Sequence, residues 1–106
     1  MTDVRWIEER DEFLNLIASN REVLVDFTAP GWCIPCQRFA PHFEVAAKSS
    51  FNDVVFVAVD VDKAPWSMED YGVRGVPTVK FFRDASFVAD LRERTAIKLL
   101  NELSRL

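Results

Sequence analysis

Cys33 and Cys36 are the only two cysteines of the chain, and the dipeptide Ile34-Pro35 separates them. A bridge between residues three apart joins no distant segments, and so short a ring constrains the unfolded chain by only about 2 kcal/mol. A structural cross-link would be badly placed here, whereas a dithiol that opens and closes would be well placed. The spacing therefore favours thiol–disulfide exchange, in which a thiolate attacks a disulfide sulfur.

A zinc site is the main alternative for two cysteines at this spacing. Structural zinc binds four ligands, and the pair supplies only two thiolates. His42 is the only histidine, and on the predicted helix it points away from the pair. A metal would need carboxylates or a second chain, so the redox interpretation is preferred and no metal is expected.

The two cysteines are expected to have different roles. Cys33 is the expected nucleophile, because it lies where a strand is followed by a helix. The unpaired N–H groups and the positive dipole end at the start of a helix favour an anion. Cys36 lies one turn further along on the same side and is assigned as the resolving thiol. Pro35 in the first helical turn costs no hydrogen bond.

Asp26 is a second candidate, because it interrupts the apolar run over residues 23–27. Burial raises the pKa of a carboxyl that has no partner, and such a group can transfer the proton of a nearby thiol. The alternative is a hydrated or ion-paired aspartate at the end of the strand. With the dithiol seven residues further along, the proton-transfer role is favoured.

The composition predicts one domain over residues 1–106. The chain is 49% hydrophobic with nine Phe and three Trp, enough for a core without cross-links. Its net charge of −4 disfavours nucleic acid as a partner, because phosphate binding needs a cationic face. No apolar run is long enough to span a membrane, and the N-terminus lacks a signal pattern. A cytoplasmic monomer is expected, where reducing conditions keep most thiols free.

The hydrophobic pattern predicts the element order β-α-β-α-β-α-β-β-α. Strands are expected over residues 4–7, 23–27, 54–59, 78–82 and 87–91, and helices over 8–19, 33–48, 66–71 and 95–106. The buried faces of the first and last helices are predicted to carry Phe13, Leu14 and Ile17, and Ile97, Leu100 and Leu103. This order indicates an α/β protein with a mixed sheet that is covered on both sides.

Several motifs resemble those of the thioredoxin family, and together they cover nearly the whole chain. Trp32 followed by Cys-Ile-Pro-Cys resembles the family's Trp-Cys-Gly-Pro-Cys, and Asp26-Phe27 resembles the end of its central strand. Pro41 matches a helix-kinking proline, and residues 59–62 and 71–78 match two further motifs. The resemblance implies the thioredoxin fold, a central mixed five-stranded sheet flanked by four helices.

The resemblance also implies the activity, that of a protein-disulfide reductase with no bound cofactor. Cys33 would form a mixed disulfide with the substrate, and Cys36, deprotonated with help from Asp26, would release the reduced product. Electrons would come from NADPH through thioredoxin reductase, a flavoprotein. Disulfide-containing proteins such as ribonucleotide reductase would be the substrates.

A docking groove beside the dithiol is implied as well, formed by Trp32, Ile34, Gly75, Val76 and Pro77. From the residues alone, Pro77 fits an ordinary turn, since few X–Pro bonds are cis. Likewise, Trp32 fits either the core or a flat apolar surface beside the thiols. The resemblance implies a cis Val76–Pro77 bond that faces the thiols, and a substrate bound to Val76 as an added strand.

Four departures from the family pattern concern this region. Ile34 replaces the usual glycine and adds an apolar side chain at the docking surface. One extra residue lies between Asp26 and Trp32, so the loop must bulge. Ala58 stands where many members carry a lysine, so Asp26 should be harder to ionise. Glu93 replaces a glycine and would place negative charge beside the groove, which disfavours acidic substrates.

Two other functions stay open from the sequence. A glutaredoxin-like enzyme that draws electrons from glutathione is disfavoured by the N-terminal strand and helix and by Trp32. A non-catalytic binding module would keep the fold for its shape alone, and serine at both cysteine positions would distinguish it. The protein-disulfide reductase is preferred over both. A reductant is expected and not an oxidant, because the uncharged Ile34-Pro35 dipeptide offers no donor that would stabilise a thiolate.

Overall fold

Five strands and four helices make up the chain in a computed structural model, which describes residues 3–50 and 53–106. The strands are β1 (Arg5–Trp6), β2 (Glu22–Thr28), β3 (Val54–Asp60), β4 (Thr78–Arg83) and β5 (Ser86–Leu91). The helices are α1 (Arg10–Ser19), α2 (Ile34–Ser49), α3 (Trp66–Tyr71) and α4 (Ala96–Ser104). The predicted element order is confirmed, with boundaries that differ by one to two residues at most ends.

One mixed sheet contains all five strands, in the order β1-β3-β2-β4-β5. The strands β1, β3 and β2 run parallel, and β4 and β5 are antiparallel to their neighbours. The predicted mixed sheet with a final antiparallel hairpin is therefore confirmed. In this order β2 and β3 are interior strands, in agreement with their continuous apolar runs.

Two hydrophobic clusters lie on opposite faces of the sheet. Val23, Val25 and Phe27 of β2 pack with residues of α1, whereas Leu24 packs with residues of α2 and α4. Because side chains alternate along a strand, Asp26 shares the face of Leu24 and lies under α2. None of the helices in the described part of the chain is long and apolar enough to cross a membrane.

Two of the predicted core positions are wrong. The buried residues are Phe13, Leu16 and Ile17 in α1 and Leu99 and Leu103 in α4. Leu14 is 41% exposed and Ile97 is 75% exposed. Both helices contain adjacent apolar residues, so helical spacing alone permits more than one buried face. Packing against the sheet selects the face, and the local sequence does not record that choice.

Two non-glycine residues in the turn between β4 and β5 adopt the left-handed backbone conformation. Asp84 has φ 52° and Ala85 has φ 65°. This region costs an ordinary L-residue about 1–2 kcal/mol, although aspartate tolerates it better through local hydrogen bonds. Alanine has no such compensation, so Ala85 is a strained position.

Replacing Ala85 with glycine should raise the free energy of unfolding by about 0.5–1 kcal/mol, because glycine adopts this conformation without the steric cost. The same substitution at the exposed helical residue Ala18 is the matched control and should lower it by about 0.5–1 kcal/mol. Urea denaturation measures both values. A lower midpoint for Ala85→Gly, as for Ala18→Gly, would show that the turn is not strained.

Candidate active site

The dithiol lies at the start of α2, in the loop that follows the carboxyl end of β2. Cys33 is the N-cap residue of α2, Cys36 lies in the first turn, and a disulfide joins their sulfurs. The two Cα atoms are 5.2 Å apart. The backbone N–H of Cys36 donates a hydrogen bond to Cys33 Sγ over 3.2 Å. Cys33 therefore holds its sulfur at the helix end where an anion is stabilised.

The extra residue before Trp32 is accommodated in a turn over residues 30–32. The N–H of Cys33 donates to the carbonyl oxygen of Ala29 over 3.0 Å, which closes the turn. The side-chain amide of Gln37 donates to the carbonyl oxygen of Pro30 over 2.9 Å. These two bonds tie the loop to the first turn of α2, so the longer connection still presents the cysteines at the helix start.

The Val76–Pro77 peptide bond is cis, as the resemblance implied. The carbonyl oxygen of Val76 lies 3.7 Å from Cys33 Sγ. Thr78 Oγ1 donates to the carbonyl oxygen of Gly75 over 2.6 Å, which closes this loop before β4. The loop therefore presents peptide groups directly beside Cys33 Sγ.

Trp32 and Ile34 are exposed beside the dithiol, with 63% and 53% of their surfaces accessible. The indole N–H of Trp32 donates to the carboxylate of Asp62 over 2.8 Å. Trp32 is therefore a surface platform and not a core residue. The structure brings both side chains and the loop over residues 75–77 to the same end of the molecule as the cysteines.

Asp26 is buried within β2, opposite Ala58 of β3. Its Oδ1 has no hydrogen-bond partner among the described residues. Burial raises the pKa of Asp26 to about 7, although the charge of Arg94 acts in the opposite direction. Asp26 forms no ion pair among the described residues, so the ion-paired alternative from the sequence does not match this environment.

A cavity of about 60 Å³ connects Asp26 with Cys36. Phe43 and Ala58 are among the residues that line it, and Cys33 is not. A space of this size can hold a water molecule. The two sulfurs therefore have different neighbours: Cys36 shares a cavity with the buried carboxyl, and Cys33 faces the Val76 loop.

Arg94 is a cation of this site that was not among the residues predicted from the sequence. Its guanidinium donates to the carbonyl oxygen of Pro77 over 3.4 Å and lies 5.2 Å above the ring of Phe39. Burial lowers the pKa of Arg94, and the charge of Asp26 raises it. With Ala58 in place of a lysine, Arg94 is the positive charge that favours ionisation of Asp26. No sequence signal identified it, because the loop after β5 reaches the site only through strand pairing.

Within the described residues, no group of three or more His, Cys, Asp or Glu side chains is placed to hold a metal ion. His42 lies on α2 and lines a surface pocket with Arg38 and Arg94. Both neighbours are cationic, so this pocket does not have the ligands of a metal site.

Comparison with known proteins agrees with this geometry. The family model described as thioredoxin matches residues 4–105. The thioredoxin of Mycoplasmoides gallisepticum is 40% identical over 89 residues, covering 84% of this chain and 86% of that protein. The thioredoxin of Oryctolagus cuniculus is 35% identical over 105 residues, covering 94% and 98%.

Comparison with solved structures also identifies the thioredoxin fold. The solution structure of oxidised thioredoxin from Plasmodium falciparum superposes with a TM-score of 0.84 at 32% identity and covers 97% of each chain. The cysteine pair at the start of α2 is consistent with the redox centre of a thioredoxin. The chain belongs to the thioredoxin family and is a thiol–disulfide oxidoreductase that acts as a protein-disulfide reductase.

Proposed function

We propose that the chain reduces protein disulfides through a mixed disulfide on Cys33, which Cys36 then resolves. The observation that carries this proposal is the difference between the two sulfurs. Cys33 Sγ accepts the N–H of Cys36 and lies beside the partly exposed Val76 loop, where another protein can approach. Cys36 instead adjoins the cavity that it shares with Asp26.

The reaction transfers two electrons from the dithiol to the substrate. The thiolate of Cys33 attacks one substrate sulfur, the substrate S–S bond breaks, and the released thiolate takes up a proton. The thiolate of Cys36 then attacks Cys33 Sγ, the mixed bond breaks, and the second substrate thiol leaves. The protein ends in the disulfide form seen in the structure.

Asp26 is proposed to accept the thiol proton of Cys36 in the second step. The cavity that links the two residues supports this role. A pKa of about 7 supports it as well, since both forms of the carboxyl are then populated near neutral pH. Only the second step depends on this carboxyl, because Cys33 lies outside the cavity.

The substrate is proposed to bind across Trp32, Ile34 and residues 75–77, with its backbone added as a strand to Val76. The exposed apolar surfaces of Trp32 and Ile34 support this site, because protein partners bury such surfaces. Ile34 adds contact area that a glycine at this position would not provide.

Membership in the thioredoxin family supports a specific electron source. We propose that a flavoprotein thioredoxin reductase restores the dithiol with electrons from NADPH, while the chain itself binds no cofactor. Disulfide-containing proteins such as ribonucleotide reductase are the proposed substrates. The cytoplasm is the proposed location, since a reducing compartment keeps such a dithiol active.

Serine substitutions should separate the roles of the cysteines. With NADPH and thioredoxin reductase, the wild type should reduce insulin disulfides, and Cys33→Ser and Cys36→Ser should each lose this turnover, because one sulfur cannot complete the exchange. Cys36→Ser should accumulate a covalent mixed disulfide with insulin, detected by mass spectrometry, and Cys33→Ser should not.

A covalent adduct on Cys33→Ser alone would contradict the assigned order of attack. Equal reduction of insulin with glutathione in place of the reductase would support the glutaredoxin-like alternative. Retention of the biological effect by the double serine variant would support a binding module.

Asp26→Asn should change both stability and the second chemical step. The folded pKa of about 7 exceeds the ordinary 3.8, so the stability from this carboxyl is complete below pH 4 and is lost as the pH rises through 7. The variant should therefore match the wild type near pH 4 and exceed its unfolding free energy at pH 9 by something on the order of 4 kcal/mol. Urea denaturation across this range tests it.

In stopped-flow reaction with Ellman's reagent, the first release of thionitrobenzoate reports Cys33 and the second reports Cys36. Asp26→Asn should slow the second release roughly a hundredfold at pH 8 and remove its inflection near pH 7. Asp84→Asn, the same change in the exposed β4–β5 turn, is the control and should keep the inflection. An unchanged second release in Asp26→Asn would exclude the proton-transfer role.

A further inference from the structure

An open pocket of about 350 Å³ adjoins the dithiol on the side of α2. Its lining residues are Pro35, Arg38, Phe39, His42, Pro77 and Arg94. Pro35 belongs to the dithiol motif and Pro77 to the loop beside Cys33, so the pocket is continuous with the proposed docking groove. Its remaining polar side chains are two arginines and the histidine.

The two arginines of the pocket are not in direct contact with a carboxylate of the described residues. Among residues 3–50 and 53–106, neither Arg38 nor Arg94 forms an ion pair with a carboxylate. The carboxylates of Asp26, Glu93 and Glu102 act on Arg94 only from a greater distance. None of the lining residues is acidic, so the pocket is cationic in a chain whose net charge is −4.

The Trp32 side of the dithiol has the opposite charge. Asp62 is exposed there and accepts the indole N–H of Trp32. Asp60 lies next to it and accepts the backbone N–H of Asp62 over 3.0 Å. A substrate strand that crosses Cys33 would therefore meet the carboxylate of Asp62 on one side and arginines on the other.

We propose that this pocket binds the carboxylate of an acidic residue next to the disulfide of the protein substrate. The guanidinium of Arg38 suits this ligand, because its planar donor pairs match the two carboxylate oxygens. Arg94 donates to the carbonyl oxygens of Leu91, Glu93 and Pro77, and it contributes its positive charge to the site. A strand bound at Val76 carries its neighbouring side chains past Pro77 and toward Arg38 and Arg94. The site rests on the proposed function, since the substrate must already lie in the groove.

The proposed site leads to the opposite expectation from the one drawn from Glu93. Glu93 was expected to disfavour acidic substrates, whereas the pocket is lined by Arg94 and not by Glu93. The chain should therefore reduce disulfides flanked by Glu or Asp faster than those flanked by neutral or basic residues, and only when the acidic residue lies on the pocket side.

A peptide panel tests this specificity. Each peptide has one cysteine in a disulfide with a common small thiol and carries Glu, Gln or Lys at one of three positions on either side of that cysteine. The second-order rate constant is measured with prereduced protein in single turnovers, so that reductase binding does not contribute. On one side only, the Glu peptide should react about fivefold faster than its Gln partner, and the Lys peptide more slowly. Salt at 0.5 M should remove most of the difference.

Paired variants identify the residues responsible. In the double variant Arg38→Gln, Arg94→Gln the ratio of Glu to Gln rates should fall to about one. The double variant Arg21→Gln, Arg105→Gln has the same net charge, and its ratio should stay at the wild-type value. Arg38→Gln alone should lower the ratio partway, which keeps the test valid if loss of the Arg94–Pro77 bond impairs folding.

The outcomes separate the two levels of the proposal. Equal Glu and Gln rates in the wild type, or a ratio that survives in the pocket variant, would overturn the acidic-residue site while the reductase activity stands. A wild type that reduces none of the peptides would instead overturn the proposed function, and the site with it.

Discussion

The hydrogen bond from the Cys36 N–H to Cys33 Sγ is the interaction on which the active site depends. It exists because Cys33 occupies the N-cap position, where the first turn of α2 has no partner of its own for its N–H groups. The turn over residues 30–32 fixes this position from one side, and the following helix fixes it from the other. A sulfur placed there is an acceptor in the disulfide form and a stabilised anion in the reduced form.

The sheet order then supplies every other part of the site. Since β4 lies next to β2, the loop before β4 arrives beside Cys33, and since β5 pairs with β4, the loop after β5 carries Arg94 to the same end. Asp26 comes from β2 itself, on the face that α2 covers. Cys33 thus adjoins the loop that contains Val76, and Cys36 adjoins a buried carboxyl, so the two similar sulfurs have different surroundings.

Much of this arrangement could be predicted from the sequence, because contiguous residues encode it. The dithiol, the buried strands and Asp26 are visible as local patterns, and the family resemblance supplied the cis bond before Pro77. The exposed positions of Leu14 and Ile97 were predicted wrongly, since helix packing decides them. Arg38 and Arg94 lie more than fifty residues apart, and no local pattern indicates that they meet in one pocket.

The closed bridge has a consequence for survival under oxidative stress. Both cysteines of the chain are joined in the form described here, so no sulfhydryl is left for hydrogen peroxide to convert to sulfinic or sulfonic acid. Because the chain has no third cysteine, the closed form also offers no thiol for cross-linking one copy to another. Oxidative stress would therefore convert the protein to the disulfide form, which is inactive as a reductant and becomes active again when the disulfide is reduced.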